Sequence, residues 1–249
     1  MNTVFHLNNK TILITGASSG IGREAAIKCS EMGAKIILTA RNKERLNETE
    51  KKLIGNGHKA IICDLLDENE LKELISKTDH LDGVVNCAGV VKPFPIGFLT
   101  KQKINETMLP NYYAVVELTN LLIKNKKINN GASFIFLSSV SGQHPHKGGA
   151  MYASSKAAVE AFSKTVALEF YSKNIRSNCI SPAMVKTEMY DAAAIEMSTE
   201  SMEEHVAKYP LGVGYPADVA NAIIFLLSPA SRWITGINLI MDGGMLLQG

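Results

Sequence analysis

The chain has 249 residues, 46% hydrophobic and 20% charged, and its 26 Lys+Arg against 24 Asp+Glu leave a formal charge of +2. So apolar and balanced a composition argues against wholesale disorder and against a strongly basic nucleic-acid binder. The length suits one α/β domain able to bury its core without staples.

Apolar runs of strand length alternate with helix-period segments along the whole chain. Residues 11–15 (TILIT) read as a first strand, and 21–32 as a helix stopped by Gly33. A strand at 35–39, a charged amphipathic helix at 43–53 and a strand at 60–63 follow, then a helix at 68–77 and a strand at 83–86. The pattern predicts one long helix over 101–126, with the KNKK at 124–127 as its solvated end, and a strand at 133–138. A helix at 151–173, a strand at 175–181, a helix at 217–227 and a last strand at 237–241 complete the series. Near-continuous apolar strands between helices imply a single-domain, doubly wound, Rossmann-type parallel sheet of about seven strands with helices on both faces. The irregular stretches 88–100, 140–150 and 182–210 each follow a predicted strand, at the edge where such sheets bind ligands. The first two are expected to be substrate loops, and the third a lid carrying a covering helix over 190–208.

Cys29, Cys63, Cys87 and Cys179 form no C-x-x-C pair, which argues against a zinc ribbon or a thioredoxin-type centre. No run approaches the ~20 apolar residues of a membrane span, and the start lacks the charged and apolar regions of a signal peptide. The expectation is a cytoplasmic protein with no membrane or nucleic-acid partner.

The first strand runs into Gly16, Ala17, Ser18, Ser19, Gly20, Ile21 and Gly22, and then a helix. Glycines at that junction let the backbone turn sharply and approach a pyrophosphate, while the helix N-terminus offers free N–H groups and positive dipole. Between the first strand and first helix of a βαβ unit, this arrangement points to dinucleotide binding. The second strand leads into Ala40 and Arg41 with no carboxylate before Glu44. A 2′-phosphate would meet no repulsion at Ala40 and a guanidinium at Arg41, so NADP(H) is favoured over NAD(H).

Tyr152 and Lys156 form a Y-x-x-x-K that places phenol and ammonium on one helix face. A free phenol ionises near pH ~10; a neighbouring ammonium is expected to lower that value. Ser139, at the end of the fifth predicted strand, would join them. Serine hydrolysis is disfavoured, because no G-x-S-x-G surrounds Ser139 and Ala153 holds the serine position of an S-x-x-K. His144 and His146 find no third ligand at suitable spacing, so no metal is expected and both are read as pocket-loop residues.

The pattern T-G-x-x-x-G-I-G, with S-S-V-S-G and Y-x-S-S-K in order after it, resembles the compact short-chain dehydrogenase/reductase family. The resemblance spans residues 11–244. It implies acid–base catalysis by Ser139, Tyr152 and Lys156, with Asn111 holding a water through its backbone on the lysine's proton path. It further implies cofactor contacts from Gly16, Ser18, Ser19, Gly20, Ile21 and Gly22, and from Arg41. Asp64 and Leu65 match the family's D-[LV] at the adenine, and Asn86, Ala88 and Gly89 match its N-N-A-G; Cys87 breaks that motif and is not carried over. Pro182, Val185 and Thr187 match the P-G-x-I-x-T loop beside the nicotinamide, with Ala183 for the usual glycine. Tyr152 and Lys156 would also touch the cofactor. Met184, Met189, Met197 and Met202 suit either an adaptable substrate wall or plain helix packing. The implied substrate is a ketone or secondary alcohol: a 3-oxoacyl thioester, as in 3-oxoacyl-acyl-carrier-protein reductases, or a sugar, steroid or other small ketone. A non-catalytic NADP(H) sensor is the reading from another class. The C-terminal T-G…D-G-G implies a homotetramer.

Overall fold

The computed structural model describes residues 4–191 and 199–248. Seven strands form one parallel sheet: β1 (Thr11–Thr15), β2 (Lys35–Ala40), β3 (Lys59–Ile62), β4 (Leu81–Asn86), β5 (Ile128–Leu137), β6 (Arg176–Pro182) and β7 (Asn238–Met241), in the order β3-β2-β1-β4-β5-β6-β7. The order reverses between β1 and β4, which leaves a crevice at the carboxyl edge where their loops part.

The helices are α1 (Gly20–Glu31), α2 (Lys43–Glu50), α3 (Glu68–Lys77), α4 (Lys101–Met108), α5 (Ala114–Lys124), α6 (Ala150–Phe170), α7 (Thr199–Val206) and α8 (Pro216–Leu227). Strand alternation divides the core in two. Ile12, Ile14, Ile36 and Leu38 share one cluster with Ala25 and Ala26 of α1 and Ile223 and Leu227 of α8. Leu13, Ile37, Phe134 and Phe136 share the other with Leu118 and Leu122 of α5 and Val159 and Val166 of α6. Among the described residues no helix is long and apolar enough to cross a membrane, and no group of three or more His, Cys, Asp or Glu side chains could hold a metal ion.

The continuous helix expected over 101–126 is not what forms. α4 ends at Met108, a π-turn spans Leu109–Tyr113, and α5 begins at Ala114. Pro110 has no N–H to give the ladder, and the wider turn accommodates it. The lid expected over 182–210 contains a helical turn at 188–191 and α7; its stretch 192–198, with Met197, lies outside the described residues.

Phe134 and Phe136 stack with ring centroids 6.1 Å apart, and Phe162 meets Phe136 edge-on at 5.8 Å. Phe136→Ala is expected to lower stability by about 3–5 kcal/mol, read as a shift of the denaturant midpoint at constant m-value.

Candidate active site

The ends of β1 to β6 build the site. At the end of β1, Gly16 adopts a positive φ of 64°, and a Cβ there would stand 2.9 Å from the Ala88 backbone nitrogen. A Cβ on Gly22 would lie 2.4 Å from the Gly16 carbonyl oxygen. Both contacts are backbone, which cannot give way as a flexible side chain can, so glycine is required at each. The Thr15 hydroxyl accepts from the N–H groups of Cys87 and Ala88, each at 3.1 Å, and pins the β4 loop to β1. At the helix entry, the Ser19 side chain makes no cap hydrogen bond to α1. The first-turn amides of α1 therefore have no cap from it and face the cleft, an arrangement that attracts a phosphate.

The cleft above these glycines encloses ≈ 850 Å³. Gly16, Ser18, Ser19, Gly20, Ile21 and Gly22 form its floor. Arg41, Asp64, Leu65, Ala88, Gly89 and Thr187 stand along its sides. Asn86, Pro182 and Val185 do not line it. Asn86 is buried beneath, and neither amide atom meets a hydrogen-bond partner among the described residues. Val185 is buried and bridges to Gly214.

Sequence reasoning missed several residues here. Cys87, set aside because it breaks a motif, lines the cleft, with burial pushing its thiol up to about 12. Asn42 and Arg45 stand with Arg41 at the rim; the Asn42 side chain accepts from Arg45 N at 2.9 Å and caps α2. The signal was available as an N-cap residue followed by a basic first turn. The Arg41 guanidinium comes within 4.0 Å of the Asp64 carboxylate, and both groups are exposed.

Ser139, Tyr152, Lys156 and Asn111 gather at the inner end of the crevice rather than along the cleft lining. Ser139 leaves β5 with its hydroxyl accepting from Ser141 N at 3.2 Å, and it stands near enough to the Tyr152 phenol to favour its ionised form. Lys156 Nζ lies 5.7 Å from the centre of the Tyr152 ring and donates to the Leu137 carbonyl at 2.7 Å. A Cβ on Gly89 would stand 3.1 Å from Asn111 Oδ1 and 3.5 Å from Lys156 Nζ, so Gly89 joins the glycine-floored cleft to this group. The π-turn aims the Asn111 side chain inward. Its Oδ1 accepts from Val90 N at 2.7 Å, and its Nδ2 donates to Val90 O at 2.9 Å and Ser155 Oγ at 3.1 Å.

The lowering expected for Tyr152 is overturned. Burial raises the phenol, with the Ser139 hydrogen bond working the other way. Lys156, whose ammonium is directed to Leu137, is itself held down to about 8 by burial. The loops 88–100 and 140–150 are joined through Phe94 N, which donates to Gly148 O at 2.8 Å. His144 and His146 lie on the second of these loops. Met189 lines the cleft and Met202 is buried in α7, which divides the methionines between wall and packing. Within the stretch 182–210, Tyr209 Oη accepts from Met184 N at 3.3 Å.

A family profile described as enoyl-(acyl carrier protein) reductase matches residues 16–246. The 3-oxoacyl-[acyl-carrier-protein] reductase FabG of Rickettsia prowazekii is 34% identical over 242 residues, covering 97% of this chain and 98% of its own. The 7alpha-hydroxysteroid dehydrogenase of Escherichia coli is 32% identical over 246 residues, covering 96% and 94%. A crystal structure of a dehydrogenase/reductase from Sinorhizobium meliloti superposes with a TM-score of 0.87 at 28% identity, over 97% of each chain.

In lysine-labelled protein, the Nζ resonance missing from Lys156→Met is expected to titrate near pH 8. Between that point and the ordinary lysine value of ~10.4 the unfolded chain holds a proton the folded chain has released. Stability relative to Lys156→Met should therefore rise with pH across that window; denaturant titrations at both ends of it check the sign.

Proposed function

The chain belongs to the short-chain dehydrogenase/reductase family of oxidoreductases, and we propose that it reduces a carbonyl with NADPH through Ser139, Tyr152 and Lys156. The observation that carries this reading is the buried Tyr152 phenol, with Ser139 near enough to act on its ionisation and Lys156 Nζ 5.7 Å from its ring, connected through Gly89 to a glycine-floored cleft. The cleft fits a dinucleotide. Its floor is held to backbone alone at Gly16 and Gly22, and the α1 amides face the place where a pyrophosphate would lie. Arg41 and Arg45, with the N-terminus of α2 and an uncharged Ala40, favour a 2′-phosphate.

NADPH, when bound, supplies the hydride for the carbonyl carbon. Tyr152 Oη donates a proton to the carbonyl oxygen as negative charge grows there, and Ser139 Oγ hydrogen-bonds the same oxygen. The raised phenol pKa supports this direction, because Tyr152 is then protonated at neutral pH and ready to donate. Lys156 Nζ, close to Gly89, would hold the nicotinamide ribose hydroxyls. In oxidation the phenol must first lose its proton, so the reverse rate should climb with pH. Asn111 fixes Val90 and Ser155, so its part here is to hold the wall beside Lys156.

A 3-oxoacyl thioester is the first substrate to test, given the relation to FabG. A steroid or other small ketone is the second reading, favoured by the comparably similar hydroxysteroid dehydrogenase. The exposed Leu168, Tyr171 and Trp233 support assembly into a homotetramer.

With an acetoacetyl thioester, loss of NADPH absorbance should be rapid for the unmodified chain. Tyr152→Phe should lower kcat by at least about a hundredfold while NADPH affinity, read by fluorescence, changes little. Near-full turnover in that variant would refute the phenol's role. Ala40→Asp combined with Arg41→Ala should shift the NADPH/NADH ratio of kcat/KM toward NADH by about tenfold or more; an unchanged ratio would remove the 2′-phosphate assignment.

A further inference from the structure

The mechanism leaves one buried ionisable side chain unused. Glu160 lies one turn beyond Lys156 on α6 and is 7% exposed. Its Oε1 accepts from the Ser138 hydroxyl at 2.8 Å and the Ser181 hydroxyl at 3.2 Å, and its Oε2 accepts from Gln143 Nε2 at 3.0 Å. A Cβ on Gly142 would stand 2.9 Å from Oε1, so the carboxylate presses directly on the turn Val140–Gly142. The three donors come from three separate pieces of the site. Ser138 immediately precedes Ser139, Gln143 immediately follows the turn that Ser139 opens, and Ser181 immediately precedes Pro182.

We infer that Glu160 is a positioning residue that clamps the Ser139 turn, and the start of the 182–187 loop, to the helix carrying Tyr152 and Lys156. The inference rests on the reading of Ser139 and Tyr152 given above. A carboxylate suits the task because it accepts on every side and donates nowhere. Without it, Ser138 and Ser181 would still have partners, since the Lys156 carbonyl lies 3.1 Å from the Ser138 hydroxyl and Asn238 Oδ1 lies 2.8 Å from the Ser181 hydroxyl. Glu160 is therefore not needed merely to satisfy these hydroxyls. What it adds, beside the ties of α6 to Leu137, Ser138 and Ser177, is one carboxylate that joins Gln143, Ser138 and Ser181 to the same point of α6.

The sharpest test exchanges donor and acceptor. In Glu160→Gln one of the two acceptor oxygens becomes a donor: with its oxygen on the serines its NH₂ faces the NH₂ of Gln143, and turned over it keeps Gln143 but takes the acceptor away from Ser138 and Ser181. In the double variant Glu160→Gln/Gln143→Glu the pair is complementary again with its polarity reversed. Glu160→Gln is expected to lower kcat for the acetoacetyl thioester by about tenfold to a hundredfold, with KM and NADPH affinity within about twofold. The double variant should recover most of that loss. A folded Glu160→Gln with undiminished kcat overturns the inference, and so does a double variant no better than the single. A loss confined to thermal stability also overturns it.

A second measurement needs no turnover. In protein with ζ-carbon-labelled tyrosine, the resonance absent from Tyr152→Phe should titrate at higher pH in Glu160→Gln, because a displaced Ser139 no longer favours the phenolate. An unchanged midpoint overturns the positioning role even if the thioester is not the substrate. Conversely, if the unmodified chain reduces no ketone but the midpoint moves, the proposed function fails and the clamp stands. Should Glu160→Gln fail to fold, Gln143→Ala removes one donor and is read in the same two ways.

Discussion

Everything at the nucleotide end depends on how closely α1 can stand to β1. The Gly16 carbonyl sits where a Cβ on residue 22 would be, and the Ala88 amide sits where one on residue 16 would be. Three backbones thus touch with no side chain between them. The Thr15 hydroxyl then locks the β4 loop at that distance by accepting two amides. A glycine-floored cleft follows from this contact, because any side chain at these positions would fill the space or push the helix away.

At the chemical end the controlling influence is burial. Desolvation acts in opposite directions on the two ionisable groups there, raising the Tyr152 phenol and lowering the Lys156 ammonium. Both shifts favour the neutral form, so the pocket tolerates little net charge of its own. Glu160, with three donors gathered around it, is the anion this region accommodates one turn beyond Lys156.

The central strands were legible because they carry short apolar runs buried on both faces of a parallel sheet, whereas the polar opening of β5 at 128–132 lay outside the run that marked it. The glycine loop and the Ser139, Tyr152 and Lys156 set were legible because their spacing is dictated by backbone contact and by the helical repeat. The break at 109–113 was not. The hydrophobic periodicity runs straight through it, and what rewards the π-turn is the tie from Asn111 to Val90, which are far apart in sequence. Glu160 escaped notice for a similar reason: on an α6 ladder it is one more polar position until three distant donors converge on it. The direction of the Tyr152 shift was misjudged because spacing predicts a neighbour, whereas the Leu137 carbonyl decides where the Lys156 ammonium points.

The hydrogen bond from Phe94 to Gly148 makes a single rim out of two loops that leave different strands. Neither loop can then shift alone, since the second is carried along or the bond is lost. Movement of this rim is therefore a problem in two variables, and paired substitutions across it are the natural unit of change.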